Sequence, residues 1–181
     1  MRTLLLCSAI TDVTVHNLVQ QCANLLTEGI DEFMLVISSE GGNVSSGLKA
    51  YDILSALPIT LHTHNCGNVD SIASLIFLAG NVRSASPNSR FIFHPVECFF
   101  NQSAKFELSQ MRHIVKHMES DLSRMVYAFK SRTTFGVGDA CWDDILNEHV
   151  VWDAENAISM GLIDIIFDLK AEANDIKTII I

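Results

Sequence analysis

Long apolar runs are missing from this sequence: none approaches the roughly 20 residues that a membrane-spanning helix needs. Positive charge is also scarce. Lysine and arginine total 12 against 21 acidic residues, a formal charge of −9, whereas a nucleic-acid partner calls for a basic footprint. Cysteine is sparse, and Cys7, Cys22, Cys66, Cys98 and Cys141 form no close pairs. An odd, scattered set argues against a disulfide framework or a four-thiolate metal centre and points to a reducing cytoplasm. The opening Met1-Arg2-Thr3-Leu4-Leu5-Leu6-Cys7 lacks a small-residue cleavage site, so it reads as a first strand rather than a signal peptide. Low-complexity linkers, repeats and shifts in composition are absent too, and residues 1–181 are read as one domain. What is abundant is apolar surface. Hydrophobic residues make up 49% and charged residues 18%, which predicts a face buried against other subunits.

Strand and helix patterns alternate along the chain. Leu4 to Cys7 reads as a strand, and Asp12 as the N-cap of a helix with Val15, Leu18, Val19, Cys22, Leu25 and Leu26 on one face, closed by Gly29. Phe33 to Ile37 is a continuous apolar run, as in a strand covered on both faces. Gly41-Gly42 follows, then a helix with Val44, Leu48, Tyr51 and Leu54 inward. Ile59 to His64 reads as a strand, Ser71 to Ala79 as a buried helix and Phe91 to Phe93 as a strand. From Ser103 to Ser131 the apolar positions keep helical spacing, a helix long enough to extend beyond a small domain. A short helix (Trp142 to Leu146), a strand (Val150 to Trp152), a helix (Asp153 to Met160) and a strand (Leu162 to Phe167) complete the pattern. The class is α/β, a parallel sheet flanked by helices with one long protruding helix.

Three local features converge on chemistry. Ser38-Ser39-Glu40-Gly41-Gly42-Asn43-Val44 joins a buried strand to a helix, and its glycines allow a sharp turn with bare N–H groups. Ser71 opens a helix, with the N–H of Ile72 free to donate. His94 ends a strand just before Pro95. Taken singly, each has a plainer reading: a tight turn, a cap made by Asp70 or Ser71, a structural histidine. Ends of parallel strands gather at one edge, however, so the three would share one site as oxyanion hole, nucleophile and base.

Those residues also carry a resemblance. Ser39-Glu40-Gly41-Gly42-Asn43-Val44 resembles the Ser-Pro-Gly-Gly-Ser-Val segment of the Clp protease proteolytic subunit. Gly67 to Gly80 is similar to that family's Gly-Gln-Ala-Ala-Ser-Met-Gly-Ala region, and Pro87-Asn88-Ser89-Arg90-Phe91-Ile92-Phe93-His94 to its Pro-Asn-Ser-Arg-x-Met-Ile-His. Ala154-Glu155-Asn156-Ala157 through Gly161-Leu162-Ile163-Asp164 matches its closing motif. The resemblance, in order from Thr3 to about Phe167, implies a ClpP/crotonase fold with Ser71 as nucleophile, His94 as base and the N–H groups of Gly41 and Ile72 as oxyanion hole. It implies peptide or unfolded-protein substrates, an acyl-enzyme, no cofactor, no metal and no membrane partner. It further implies a homo-oligomeric chamber of stacked rings, with the long helix as the handle between them.

Four departures qualify that picture. Counting back from Gly161-Leu162-Ile163-Asp164, the family's catalytic aspartate falls on His149, which cannot supply a negative charge. Glu148 and Asp144 are possible substitutes, while Asp153 reads as a helix cap. Asp70 stands where the family has a small neutral residue; it could raise the proton affinity of the site histidine, oppose the oxyanion, or be an exposed cap. The family's axial loop and first helix precede its opening strand, at which this sequence begins, so an ATPase unfoldase partner is doubtful. Val96 to Gln102 replaces a glycine-rich stretch, so the ring contact is expected to differ. Elsewhere, His113 and His117 read as a solvated helix face, His62 and His64 as structural, and Met111, Met118 and Met125 as core or interface. The competing functions are a serine peptidase, a non-catalytic ring subunit of the same fold, and a crotonase-like protein acting on coenzyme A thioesters.

Overall fold

The computed structural model describes residues 1–100, 105–135, 141–170 and, by backbone alone, 176–180. Eight strands form one sheet in the order β6-β5-β3-β2-β1-β8. These are β1 (Arg2–Leu6), β2 (Glu32–Ser39), β3 (Thr60–Asp70), β4 (Val82–Ala85), β5 (Arg90–Phe93), β6 (Val150–Asp153), β7 (Ile165–Ile166) and β8 (Ile176–Ile180), with β4 beside β3 and β7 beside β4. Every pairing is parallel except β5 with β6, which run antiparallel with Phe93 opposite Val150. The apolar run of β2 is buried from Phe33 to Ile37, as a strand covered on both faces must be.

The helices are α1 (Asp12–Thr27), α2 (Val44–Ala56), α3 (Ala73–Leu78), α4 (Leu108–Arg132), α5 (Trp142–Ile145) and α6 (Ala154–Ser159). Thr11, not Asp12, caps α1: its hydroxyl accepts from the Thr14 N–H, and the Thr14 hydroxyl accepts in return from the Thr11 N–H. Asp12 is left to pair with Lys49 at 2.6 Å. Gly29 closes α1 at φ 75° as expected, and Asp153 caps α6 by accepting from the Asn156 N–H.

The largest correction concerns β3. It does not stop at His64 but runs to Asp70, splitting its edge so that His62–Asn65 pair with β4 and Asn68–Asp70 with β5. The helix expected from Ser71 is preceded by strand up to Asp70, Ser71 and Ile72 form a turn, and α3 starts only at Ala73. β4 and β8 were not anticipated, and β7 is two residues rather than six. In α4, Ser103 and Ala104 lie outside the described residues, and Lys105 to Glu107 precede the helix.

The core follows from these faces. Leu4, Leu6, Leu18, Phe33, Leu35, Leu75 and Phe77 are fully or almost fully buried around the sheet. A second group of rings, Phe93, Phe129, Trp142 and Trp152, lies behind the end of β5 with centroids 4.2–5.9 Å apart. Each such pair contributes about 0.5–1.5 kcal/mol beyond area burial, and together they fix β5, β6 and α5 against the end of α4. α4 is buried only near that end, at Met125, Val126, Ala128 and Phe129; Leu108, Met111 and Val115 are exposed. Leu122 also packs against the core and Arg124 pairs with Asp52 of α2 at 3.6 Å; at about 1.5 Å per residue, the N-terminal turns project from the body.

Candidate active site

Ser71, Gly41, His94 and His149 all sit at strand ends on one edge of the sheet. Ser71 directly follows β3 and holds a left-handed backbone, φ 55°, unlike any other non-glycine residue among those described. A serine there carries strain that the surroundings must hold in place, a feature concentrated at functional sites. Its N–H donates to the Ile92 carbonyl at 2.7 Å, tying it to β5 two residues before His94. Neither Ser71 nor Asp70 caps α3, whose N-cap is Ile72 without a side-chain bond.

The glycine turn is pressed against the serine. Gly41 has φ 94°, and a Cβ on it would lie 2.6 Å from Ser71 Cβ and 3.2 Å from Ser71 Oγ. A Cβ on Gly42 would meet the Ile10 carbonyl oxygen at 2.3 Å, and the N–H of Asn43 donates to that same oxygen at 2.7 Å. Glycine is thus required by sterics at both positions. The expected oxyanion donors are differently placed. The Gly41 N–H donates to Ser39 Oγ at 3.2 Å, so it must leave that bond to serve a ligand. Ile72 is fully buried and abuts α2, where a Cβ on Gly47 would come within 2.2 Å of it.

His94 is half-buried, and its Nδ1 lies 2.8 Å from the Pro95 carbonyl oxygen. A carbonyl only accepts, so Nδ1 carries the proton and Nε2 presents its lone pair. No hydrogen bond joins His94 to Ser71 Oγ or to a carboxylate among the described residues. Of the possible substitutes, Asp144 lies 3.1 Å from the Cys141 thiol, and Glu148 is exposed in the turn before β6. His149 does reach the site. Its ring stacks on that of His94, centroids 6.0 Å apart and planes 16° from parallel, at the position where counting back from Gly161-Leu162-Ile163-Asp164 puts the acid.

Asp70 is buried rather than an exposed cap, with Oδ2 3.5 Å from Arg90 and Oδ1 without a partner among the described residues. Burial pushes its carboxyl above the usual range, and Arg90 offsets this in part. Three participants escaped sequence reasoning: the Pro95 carbonyl, the Ser39 hydroxyl and Arg90. A main-chain oxygen has no sequence signal, and the other two are recognised only once the strands are paired. His62 pairs with Glu32 at 2.9 Å, His64 is buried within β3, and His113 and His117 are exposed on α4 with rings 4.3 Å apart.

The arrangement is that of a ClpP-type fold carrying a serine and a histidine on adjacent strand ends. The sequence pattern described as Clp protease matches residues 1–170, and the chain belongs to the Clp protease family. It is 28% identical over 146 residues to an ATP-dependent Clp protease proteolytic subunit of Oryza sativa subsp. indica, covering 79% of this chain and 65% of that relative. It is 36% identical over 95 residues to a subunit of that name from Carsonella ruddii, covering 51% and 49%. The chain thus spans between about half and just under two thirds of the length of these curated relatives. A mutant Clp proteolytic subunit from Listeria monocytogenes shares the fold with TM-score 0.72 at 20% identity, covering 93% of this chain and 92% of that one.

Proposed function

We propose that this chain is a serine peptidase subunit in which Ser71 and His94 act as a dyad. The observation that carries the reading is the strained Ser71 backbone with Gly41 seated against its side chain. His94 Nε2 takes the hydroxyl proton as Ser71 Oγ attacks the peptide carbonyl. The developing oxyanion is met by the N–H of Ile72 and by that of Gly41 once it leaves Ser39. The imidazolium then returns its proton to the leaving amine, and water resolves the acyl-enzyme. The Pro95 carbonyl does part of a carboxylate's work: it fixes the tautomer but places no negative charge beside the imidazolium. Turnover is therefore slower than with a complete triad. In known triads an aspartate-to-asparagine change costs about 10⁴-fold, mainly through the wrong tautomer, so the deficit here should be smaller.

Peptides or unfolded chains are the substrates, and copies of the chain form the chamber. Exposed Phe99, Phe100, Phe106, Leu108, Met111 and Val115 supply apolar surface for that assembly. All five cysteines are free, consistent with a reducing compartment, and no helix among the described residues is long and apolar enough to cross a membrane. A fluorophosphonate probe tests the reading. Ser71 should displace fluoride and become labelled, and Ser71→Ala should abolish both labelling and peptide hydrolysis, the latter by roughly 10⁴ to 10⁶. A second reading, a non-catalytic subunit, is favoured by the engaged Gly41 N–H; an unlabelled but folded wild-type protein would establish it.

A further inference from the structure

We propose that His149 is a positioning residue for His94 and that its protonation switches the dyad off, a claim that rests on the Ser71–His94 reading above. The geometry comes from the one antiparallel pair in the sheet. Because Phe93 faces Val150, the residue after the first and the residue before the second meet beyond the sheet's end. Their rings stack nearly parallel at 6.0 Å, so His149 fixes the plane of the His94 ring while the Pro95 carbonyl fixes its tautomer.

A carboxylate at this position would stabilise the imidazolium formed during acyl transfer. An imidazole that gains a proton in mild acid does the reverse, because two cations at this separation repel. Carboxylates on the neighbouring elements do not intervene. Asp143 is bound to Lys130, Asp144 to the Cys141 thiol, Asp70 to Arg90 of β5, and Asp153 caps α6 at the far end of β6. Glu97 and Glu148 are exposed and bond to neither ring.

The test compares wild type with His149→Asn and His149→Asp, substitutions at an exposed position that leave the core intact. Ring resonances of ¹⁵N-labelled histidine report the titration, and the pH dependence of fluorophosphonate labelling reports the reaction. In His149→Asn, His94 should titrate about half a pH unit higher or more, even with the pair partly screened by water. The acid limb of labelling should collapse from two proton steps in wild type to one. His149→Asp should label about tenfold faster or more at neutral pH, since the charge is restored. A His94 midpoint unmoved by His149→Asn, or the same one-step limb in both proteins, overturns the inference while leaving Ser71 reactive. If no folded variant labels at any pH, the peptidase reading fails and the switch fails with it.

Discussion

A single backbone angle organises the site at the scale of residues. Ser71 holds φ 55° because its N–H is tied to β5 and Gly41 closes over its side chain. Gly41→Ala tests the closure. The new Cβ would lie 2.6 Å from Ser71 Cβ and 2.9 Å from the Asp70 carbonyl oxygen, at a φ that already disfavours a side chain. Labelling of Ser71 should be lost, and stability by urea unfolding should fall by about 1–3 kcal/mol. Gly29→Ala is the control. Its φ is also positive, 75°, but nothing lies within 4 Å of the added Cβ, so it should cost about 1 kcal/mol of strain and leave labelling intact. Equal loss of labelling in both variants would show that backbone strain alone, not contact with Ser71, is responsible.

Among the elements, β3 decides both the architecture and the response to acid. It bonds β2 along one edge and shares the other between β4 and β5, and His64 lies buried in its middle. There Nδ1 lies 2.9 Å from the Ser84 hydroxyl and Nε2 3.0 Å from that of Ser86, and burial pulls the pKa from 6.5 down to about 4. The unfolded chain therefore binds a proton that the native chain refuses. Stability from this group is complete above pH 6.5 and declines as the pH falls to about 4, by up to about 3 kcal/mol. Urea titrations across that range should show the decline, and His64→Gln should flatten it. Asp70 works in the opposite sense: its raised pKa adds stability below 3.8 that disappears as the pH rises through the folded value. β3 is also where the sequence misleads. Gly67-Asn68-Val69-Asp70 has the composition of a turn and cap, and only its pairing with β5 makes it strand. β4 went unseen for a related reason: Val82-Arg83-Ser84-Ala85 is short, and its buried Arg83 breaks the apolar pattern. By contrast, β2, α1 and α2 were legible because their apolar spacing matches the faces they bury. That Gly41, Ser71 and His94 lie at one edge of the sheet was legible as well, since topology sends the ends of parallel strands there.

For the whole molecule, the projecting part of α4 and the segment before it expose apolar side chains, Phe99 at 90% and Leu108 at 67%, that a lone copy cannot cover. Light scattering at micromolar concentration should return a multiple of 20.0 kDa, and Leu108→Glu with Val115→Glu should lower it. A monomeric wild-type protein would exclude the chamber. The antiparallel β5–β6 pair also bears on the order in which the molecule comes together. His94 and His149 meet across a loop of more than fifty residues that carries all of α4 and α5. Closing so long an excursion has an entropic cost that local contacts do not share. The contacts that hold Ser71, to Ile92 of β5 and to the Gly41 turn, span roughly 20 to 30 residues and can form earlier. The β5–β6 pairing belongs to a later stage of folding, so a newly made chain brings Ser71 and His94 together before His149 comes to lie beside them.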